Sequence, residues 1–130
     1  AIPSFKAFIH KLKKQHGVHM VFCWHTITGY WAGVSAEGPY SSTKELQAKV
    51  KVADITPKLM RLEPSLAWHP ITLKGMGLPS LDKIGSMYDA MHSYLKRSQV
   101  DGVKVDGQAM VTMMGAGLGG RTAATRSFIQ

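Results

Sequence analysis

The sequence predicts an α/β fold in which parallel strands alternate with helices. The chain contains two units of the same kind, each a helix with one apolar stripe, a short turn and then a β-favouring run. Helices that repeatedly lead into strands through short turns are typical of parallel sheets, whose neighbouring strands need crossover connections. Because 45% of the 130 residues are apolar, we expect one compact unit over residues 1–130.

The first unit begins at Pro3-Ser4, where Ser4 is a suitable N-cap, and its helix stops at Gly17. The apolar positions between them recur at the spacing of one helix face: Phe5, Phe8, Ile9 and Leu12. Residues 18–24 then form an apolar, β-favouring run, and we predict a strand there.

The second unit begins at Pro79-Ser80, and its apolar positions again lie on one helix face: Leu81, Ile84, Tyr88, Met91 and Leu95. The chain turns at residues 99–101, and Gly102–Asp106 is predicted as the next strand. Between the units lies a connection over residues 25 to about 70, which could hold a short helix within 43–52 and a short strand within 66–73. Loops of this length are uncommon in compact domains unless they serve a function.

The formal net charge of +8, from sixteen Lys/Arg against eight Asp/Glu, raises nucleic-acid binding as an alternative function. The charges are spread out, however, and four of them lie on the polar side of the first predicted helix: Lys6, Lys11, Lys13 and Lys14. A solvated face explains them better, so we predict no nucleic-acid partner. No apolar run approaches the roughly 18 residues of a membrane span, and we predict no membrane association.

A single cysteine, Cys23, excludes a disulfide within the chain and fits a reducing compartment. We therefore expect a cytoplasmic protein, with a plastid as the alternative. Because the chain lacks an initiating Met and ends within a helix-like segment, we expect a fragment of a longer protein that is inactive on its own.

The strongest candidate for chemistry is the pair Lys104 and Asp106 in the second predicted strand. Side chains alternate along a strand, so these two point to one side while Val103 and Val105 point to the other. A carboxylate at the end of a strand, beside an ammonium on the same face, stays ionised at neutral pH and can attack an electrophile. A surface strand with a solvated ion pair is the alternative that the pattern leaves open.

Glycoside cleavage with retention would require a second carboxylate about 5–5.5 Å from Asp106. Asp101 lies at the other end of the predicted strand, about 16 Å away, and two further acids are on the preceding helix: Asp82 and Asp89. Three acids in the long connection stay open as candidates: Glu37, Glu45 and Asp54. We expect the chain to contain only one half of such a pair.

Four ring-bearing residues cluster where the first predicted strand ends: Trp24, His25, Tyr30 and Trp31. Flat aromatic faces suit the C–H surfaces of sugars, and His25 and Tyr30 can form hydrogen bonds with hydroxyl groups. Packing in the core is the alternative for most of them, so we expect one or two at most to touch a substrate.

We predict neither a metal nor another cofactor. His19, Cys23 and His25 share one predicted strand face, but their spacing matches no common zinc pattern. Residues 115–120 contain G-x-G-x-x-G, which in a dinucleotide-dependent oxidoreductase would need a strand directly before it and an acid about 20 residues later. The preceding residues 109–114 suit a helix as well as a strand. A glycine-rich loop beside an active site is the better interpretation.

Several motifs, in order, resemble those of the raffinose synthase family of plants and algae, which includes the seed imbibition proteins (alkaline α-galactosidases) and stachyose synthases and is classed with glycoside hydrolase family 36. Residues 24–34 resemble its W-H-x-x-x-G-Y-W-x-G-V segment, and residues 101–106 match its D-G-V-K-V-D motif. Residues 75–78, 88–95 and 115–121 resemble its G-L-G-L, Y-N-x-L-H-S-Y-L and G-A-G-L-G-G-R segments. The similarity extends from about residue 8 to residue 126.

This resemblance implies part of a (β/α)8 TIM barrel that acts on α-galactosides with retention. Asp106 aligns with the catalytic nucleophile and Lys104 with a lysine that contacts galactose hydroxyls, while Trp24 and His25 would lie at the rim of the site. The acid/base aspartate of the clan would lie beyond Gln130.

The implied reaction is galactosyl transfer from galactinol to sucrose, which forms raffinose, or hydrolysis of raffinose-type oligosaccharides as the alternative. Three regions depart from the family pattern: Gly107 replaces Val, Ala32 replaces Gly, and residues 35–54 match poorly. These departures leave Asp106 untouched, and they put the acceptor (sucrose, raffinose or water) in doubt.

Overall fold

The computed structural model describes residues 3–34, 48–50, 56–73 and 75–129, which form a mixed α/β structure. The strands are β1 (Phe22–Thr26), β2 (Ala48–Val50), β3 (Met76–Leu78) and β4 (Gly102–Asp106). The α-helices are α1 (Phe5–Gln15), α2 (Pro57–Leu62), α3 (Pro70–Leu73), α4 (Ile84–Arg97), α5 (Ala109–Met114) and α6 (Arg121–Ile129). Short 3-10 helices cover Pro64–Ala67, Leu81–Lys83 and Gly115–Leu118.

Strands β1 and β4 pair in parallel, as the two helix-then-strand units predict. Their register sets Trp24 beside Lys104 and Thr26 beside Asp106. Strands β2 and β3 form a separate antiparallel pair. One parallel pair with its covering helices is compatible with part of a barrel, but it does not by itself define one.

The first helix is confirmed at both ends, whereas the first strand begins later than predicted. The Ser4 hydroxyl accepts a hydrogen bond from the Ala7 amide at 3.1 Å, and the helix ends at Gln15. The strand occupies Phe22–Thr26 rather than residues 18–24. The β1–β4 ladder starts where Phe22 pairs with Gly102. The preceding amide, that of Val21, donates to the Asp101 carboxylate at 2.8 Å.

Predictions for the long connection were less accurate. The strand expected within 66–73 is wrong: Pro64 and Pro70 each begin a helical turn, a position that the fixed φ of proline favours. The helix expected within 43–52 is contradicted at Ala48–Val50, which is the strand β2. The rest of that range lies outside the described residues.

The two faces of the β1–β4 pair have different surroundings. One face is covered by α4 and neighbouring helices, where His25 contacts Tyr88 and His92 and where Val105 packs against the core. The core itself consists of Ile27, Met76, Leu78, Ile84, Met110, Val111, Met114, Ala124 and Phe128. The other face, which we call the open face, carries exposed or partly exposed side chains: Phe22, Trp24, Lys104 and Asp106.

Gly33 is where the loop after β1 comes closest to β3. Its φ is +73°, and a Cβ atom there would lie 2.0 Å from the carbonyl oxygen of Gly77. The same contact carries two backbone hydrogen bonds, from the Val34 amide to the Gly77 oxygen at 2.8 Å and from the Gly77 amide to the Ala32 oxygen at 3.1 Å. A side chain at Gly33 would therefore separate the loop from β3.

We expect Gly33→Ala to lower the free energy of unfolding by about 2–4 kcal/mol, because it combines a left-handed backbone with a steric clash. Gly17→Ala is the matched control: its φ is +65°, but no atom lies within 4 Å of the added Cβ. The control should lose only about 1 kcal/mol. Denaturant unfolding of the full-length protein measures both variants, and equal losses would contradict the close approach.

Candidate active site

Asp106 is the last residue of β4, and its carboxylate accepts three hydrogen bonds. Oδ2 accepts from Nζ of Lys104 at 2.8 Å and from Nε1 of Trp24 at 3.0 Å, while Oδ1 accepts from the amide of Gly107 at 2.8 Å. Lys104 lies two residues earlier on the same face, and the parallel register sets Trp24 directly beside it. We call Trp24, Lys104 and Asp106 the carboxylate cluster.

These donors determine the charge state of Asp106. The Lys104 ammonium first, then the Trp24 indole N–H and the Gly107 amide, hold the pKa of the Asp106 carboxyl well below its usual range. The side chain is nevertheless 44% exposed, so it is both ionised at neutral pH and accessible. The arrangement is compatible with a nucleophile as well as with a surface ion pair.

Exposed aromatic rings adjoin the carboxylate cluster. Trp24 contacts Tyr30 edge-on, with ring centroids 6.0 Å apart, and Trp31 at a tilt, with centroids 5.5 Å apart. Both partners belong to the loop after β1, and they are 61% and 44% exposed. An anionic oxygen beside flat apolar rings is a surface that suits a sugar, whose C–H groups pack on aromatic faces.

Two buried threonines, which the sequence analysis did not single out, hold this loop to the end of β4. The hydroxyls of Thr26 and Thr28 lie 3.0 and 3.2 Å from the carbonyl oxygen of Tyr30. The amide of Ile27 donates to the carbonyl oxygen of Asp106 at 2.7 Å. The T-x-T spacing is visible in the sequence, but Thr28 lies in the turn after β1, where the alternation of strand side chains does not apply. The hydrogen bond from the Gly107 amide to Oδ1 of Asp106 was also missed, although the glycine directly after the acid is visible in the sequence.

His25 does not join the carboxylate cluster, and its expected position beside Trp24 at the rim is corrected. Because β1 continues through Thr26, neighbouring side chains point to opposite faces, and the His25 ring lies under the helices with 5% exposure. Its Nδ1 is 2.7 Å from the carbonyl oxygen of Thr26, and its Nε2 is 3.2 Å from Nε2 of His92.

The His25–His92 contact leaves room for one hydrogen between the two Nε2 atoms, so one ring donates and the other accepts. The Nδ1–H of His25 donates to the carbonyl oxygen of Thr26, and its Nε2 can then accept a hydrogen bond from Nε2–H of His92. Burial, and then the nearby His25, lower the pKa of His92, while the charge of Asp89 acts in the opposite direction. The unfolded chain thus binds this proton more readily, and the stabilisation is lost as the pH falls below about 6.5.

We expect the free energy of unfolding to decrease between pH 7 and pH 5, and His92→Gln to weaken that dependence. Glutamine retains an N–H donor for His25 but does not titrate. His10→Gln, at an exposed position on α1, is the control and should leave the dependence as it is. Denaturant titrations at three pH values measure the slopes, and a slope for His92→Gln equal to that of the unmodified protein would show that His92 does not cause the pH dependence.

The glycine-rich run does not have the geometry of a dinucleotide site. Helix α5 precedes it, rather than the strand that the fingerprint requires. Gly115 instead allows the backbone of Arg121 to approach closely, since a Cβ there would lie 2.6 Å from Cα of Arg121. Among the described residues no group of three metal-ligating side chains converges, and no helix is both long and apolar enough to cross a bilayer.

Of the other acids among the described residues, Asp82, Asp89 and Asp101 belong to other parts of the structure, and Glu63 accepts a hydrogen bond from the hydroxyl of Ser65. Asp101 forms an ion pair with Lys13 at 2.6 Å, at the opposite end of β4. Asp89 lines a groove on the helix-covered side, and Asp82 belongs to the 3-10 turn before α4. Three of the acids considered above lie outside the described residues: Glu37, Glu45 and Asp54. Among the described hydrogen bonds and ion pairs, Asp106 is the carboxylate that Lys104 and Trp24 hold.

A parallel strand that ends in a hydrogen-bonded, accessible carboxylate beside exposed aromatic rings defines a candidate carbohydrate-active site. The family model described as raffinose synthase or seed imbibition protein Sip1 matches residues 2–130. The chain belongs to this family, which confirms the resemblance seen in its motifs.

Curated relatives agree with this assignment. A probable galactinol–sucrose galactosyltransferase 6 of Arabidopsis thaliana is 38% identical over 127 residues, which are 98% of this chain and 16% of the relative. A galactinol–sucrose galactosyltransferase of Oryza sativa subsp. japonica is 32% identical over 85% of this chain and 14% of its own length. A stachyose synthase of Pisum sativum is 36% identical over 79% of this chain and 12% of its own length. The chain therefore spans less than a fifth of these relatives.

Proposed function

We propose that this chain supplies the nucleophile of an enzyme that transfers galactose from galactinol to sucrose, forming raffinose and myo-inositol. The names of the relatives support this class of substrates. The observation that carries the proposal is the Asp106 carboxylate, which is held by Lys104, Trp24 and the Gly107 amide and yet stays accessible on the open face.

The proposed architecture is part of a (β/α)8 barrel, with the open face of β1 and β4 turned inward. Two features support it: the strands are parallel, and among the described residues helices cover only one of their faces. Asp106 and the loop after β1 are both at the carboxyl ends of the strands, where barrels of this kind build their active sites.

In the first step, Asp106 attacks the anomeric carbon of galactinol as the bond to the myo-inositol oxygen breaks. Oδ2 already accepts two hydrogen bonds and Oδ1 only one, so Oδ1 retains the free lone pair for the new C–O bond. The leaving oxygen takes a proton from the acid/base residue, which we expect beyond Gln130. The product is a β-galactosyl ester of Asp106.

In the second step, a sucrose hydroxyl attacks the same carbon and gives its proton to the acid/base residue, and the Asp106 carboxylate leaves. Two inversions restore the α configuration. Lys104 has three N–H donors and uses one on Asp106, so others can bind galactose hydroxyls. The Trp24 ring, whose N–H is bound to Asp106, supplies a flat surface beside the galactosyl ring.

The cytoplasmic location of the protein stays a prediction.

The test is the reaction of the full-length protein with galactinol and sucrose, followed by NMR. We expect raffinose and myo-inositol in equal amounts, with the new linkage α from the earliest time points. Release of free galactose from raffinose, without transfer to sucrose, would establish the hydrolytic alternative. No turnover of either galactinol or raffinose would contradict the proposal.

A further inference from the structure

We propose that Trp31, supported by Tyr30, forms an aromatic wall that binds the six-membered ring next to galactose. This ring belongs to the leaving group in the first step and to the acceptor in the second. The inference rests on the proposed function and assigns a substrate position to a loop that the reaction chemistry leaves unused. The shared chemistry of the two occupants is a polyhydroxylated ring with C–H groups on one face.

The first observation is the continuity of the ring surface. The indole N–H of Trp24 is bound to Oδ2 of Asp106, so the Trp24 ring lies against the position of the reacting sugar. Trp31 packs on that same ring at a centroid distance of 5.5 Å and keeps 44% of its surface exposed. Exposed tryptophan that continues directly from a reactive carboxylate is typical of a ligand surface rather than of isolated surface residues.

The second observation is that the loop is held in place before any ligand binds. On one side, the buried hydroxyls of Thr26 and Thr28 lie within hydrogen-bond distance of the Tyr30 carbonyl oxygen. On the other, the Gly33–Gly77 bridge joins the loop to β3, and the Trp31 ring contacts the His69 ring edge-on at 6.3 Å. A rigid aromatic surface loses little conformational entropy when a ligand binds, which favours affinity.

The two tryptophans also make different contacts with Asp106. Trp24 touches the carboxylate, whereas among the described contacts Trp31 makes no hydrogen bond to Asp106. For a donor with a very small leaving group, removal of Trp31 should therefore affect formation of the galactosyl ester much less than it affects use of the acceptor sugar. It should weaken binding of the acceptor sugar.

The experiment compares Trp31→Ala with the unmodified full-length protein in two assays. At saturating galactinol, we expect the KM for sucrose to rise roughly tenfold, with Trp31→Phe restoring most of the difference because it keeps a flat ring. With α-galactosyl fluoride, whose leaving group is too small to reach a second sugar site, we expect the loss in kcat/KM to be several-fold smaller than the rise in the KM for sucrose. Trp68→Ala is the matched control: this exposed tryptophan makes no described ring contact with Trp24 or Trp31, and both assays should be unaffected.

An unchanged KM for sucrose in Trp31→Ala would overturn the inference. Equal losses in both assays would overturn it too, because they would show that Trp31 maintains the structure of the site. If the unmodified protein hydrolyses raffinose and does not transfer to sucrose, the sucrose leaving group occupies the same wall, and Trp31→Ala should raise the KM for raffinose. Failure of the proposed function is distinguishable, since the unmodified protein would then turn over no galactoside at all.

Discussion

Asp106→Asn in the full-length protein should lower kcat for galactosyl transfer by roughly three orders of magnitude or more, the scale of effect seen when the nucleophile of a covalent mechanism is removed. Asparagine fills the same space and can still accept hydrogen bonds from Lys104 and Trp24, so galactinol should bind with an affinity close to normal. Steady-state rates and calorimetric titration of galactinol measure the two quantities. Retained turnover would remove the nucleophile assignment.

The control for this variant is Asp101→Asn. Asp101 is the other strand-end aspartate with a lysine partner, but its ion pair with Lys13 ties α1 to the start of β4. We expect it to change stability and leave the chemistry intact.

A second variant gives a positive signal: in Asp106→Ala, azide should enter the space of the carboxylate, attack the anomeric carbon and yield β-galactosyl azide. A purely structural role for Asp106 predicts no such product.

Lys104→Met should have the second-largest effect. In the proposed mechanism it removes a charged donor to the Asp106 carboxylate and to galactose hydroxyls, so kcat/KM should fall roughly 10- to 100-fold. It should also change the pH profile. The Lys104 ammonium is the first cause of the low pKa of Asp106, so its removal raises that pKa. Since attack requires the ionised carboxylate, the acidic limb of kcat/KM should move to higher pH.

Lys13→Met is the matched control, because it removes a lysine from an aspartate at the far end of the same strand. Its pH profile should coincide with that of the unmodified protein. The Trp24 and Gly107 donors remain in Lys104→Met, so the limb should move without disappearing. An acidic limb that stays in place would show that Lys104 does not control the ionisation of Asp106.

The strand β4 and its carboxylate could be predicted from sequence because both depend on short-range rules. The alternation of Lys104 and Asp106 with two valines decides which side chains share a face, and the following Gly107 ends the strand. The indole donor could be expected only in part. That Trp24 is near the strand end is visible in the sequence, but its bond to Asp106 depends on the register between β1 and β4, which is a long-range property.

The two errors have different physical reasons. His25 was grouped with Trp24 because the strand was predicted to end at residue 24, whereas β1 continues through Thr26 and His25 points to the face opposite Trp24. That extension depends on pairing with β4, which is distant in sequence. The apolar run within 66–73 was recognised, but Pro64 and Pro70 favour helical turns, and this local signal outweighed the β-favouring composition.

The covalent bond that we propose between Asp106 and galactose can be tested by trapping it. The full-length protein would be incubated with a fluorinated α-galactosyl substrate whose ester hydrolyses slowly, digested, and analysed by tandem mass spectrometry. We predict one galactosyl label, on the peptide that contains residues 102–107 and on Asp106 itself. A label on any other carboxylate would show that Asp106 is not the nucleophile. Turnover of the substrate with no labelled peptide, under conditions where the galactosyl ester is stable, would show the same.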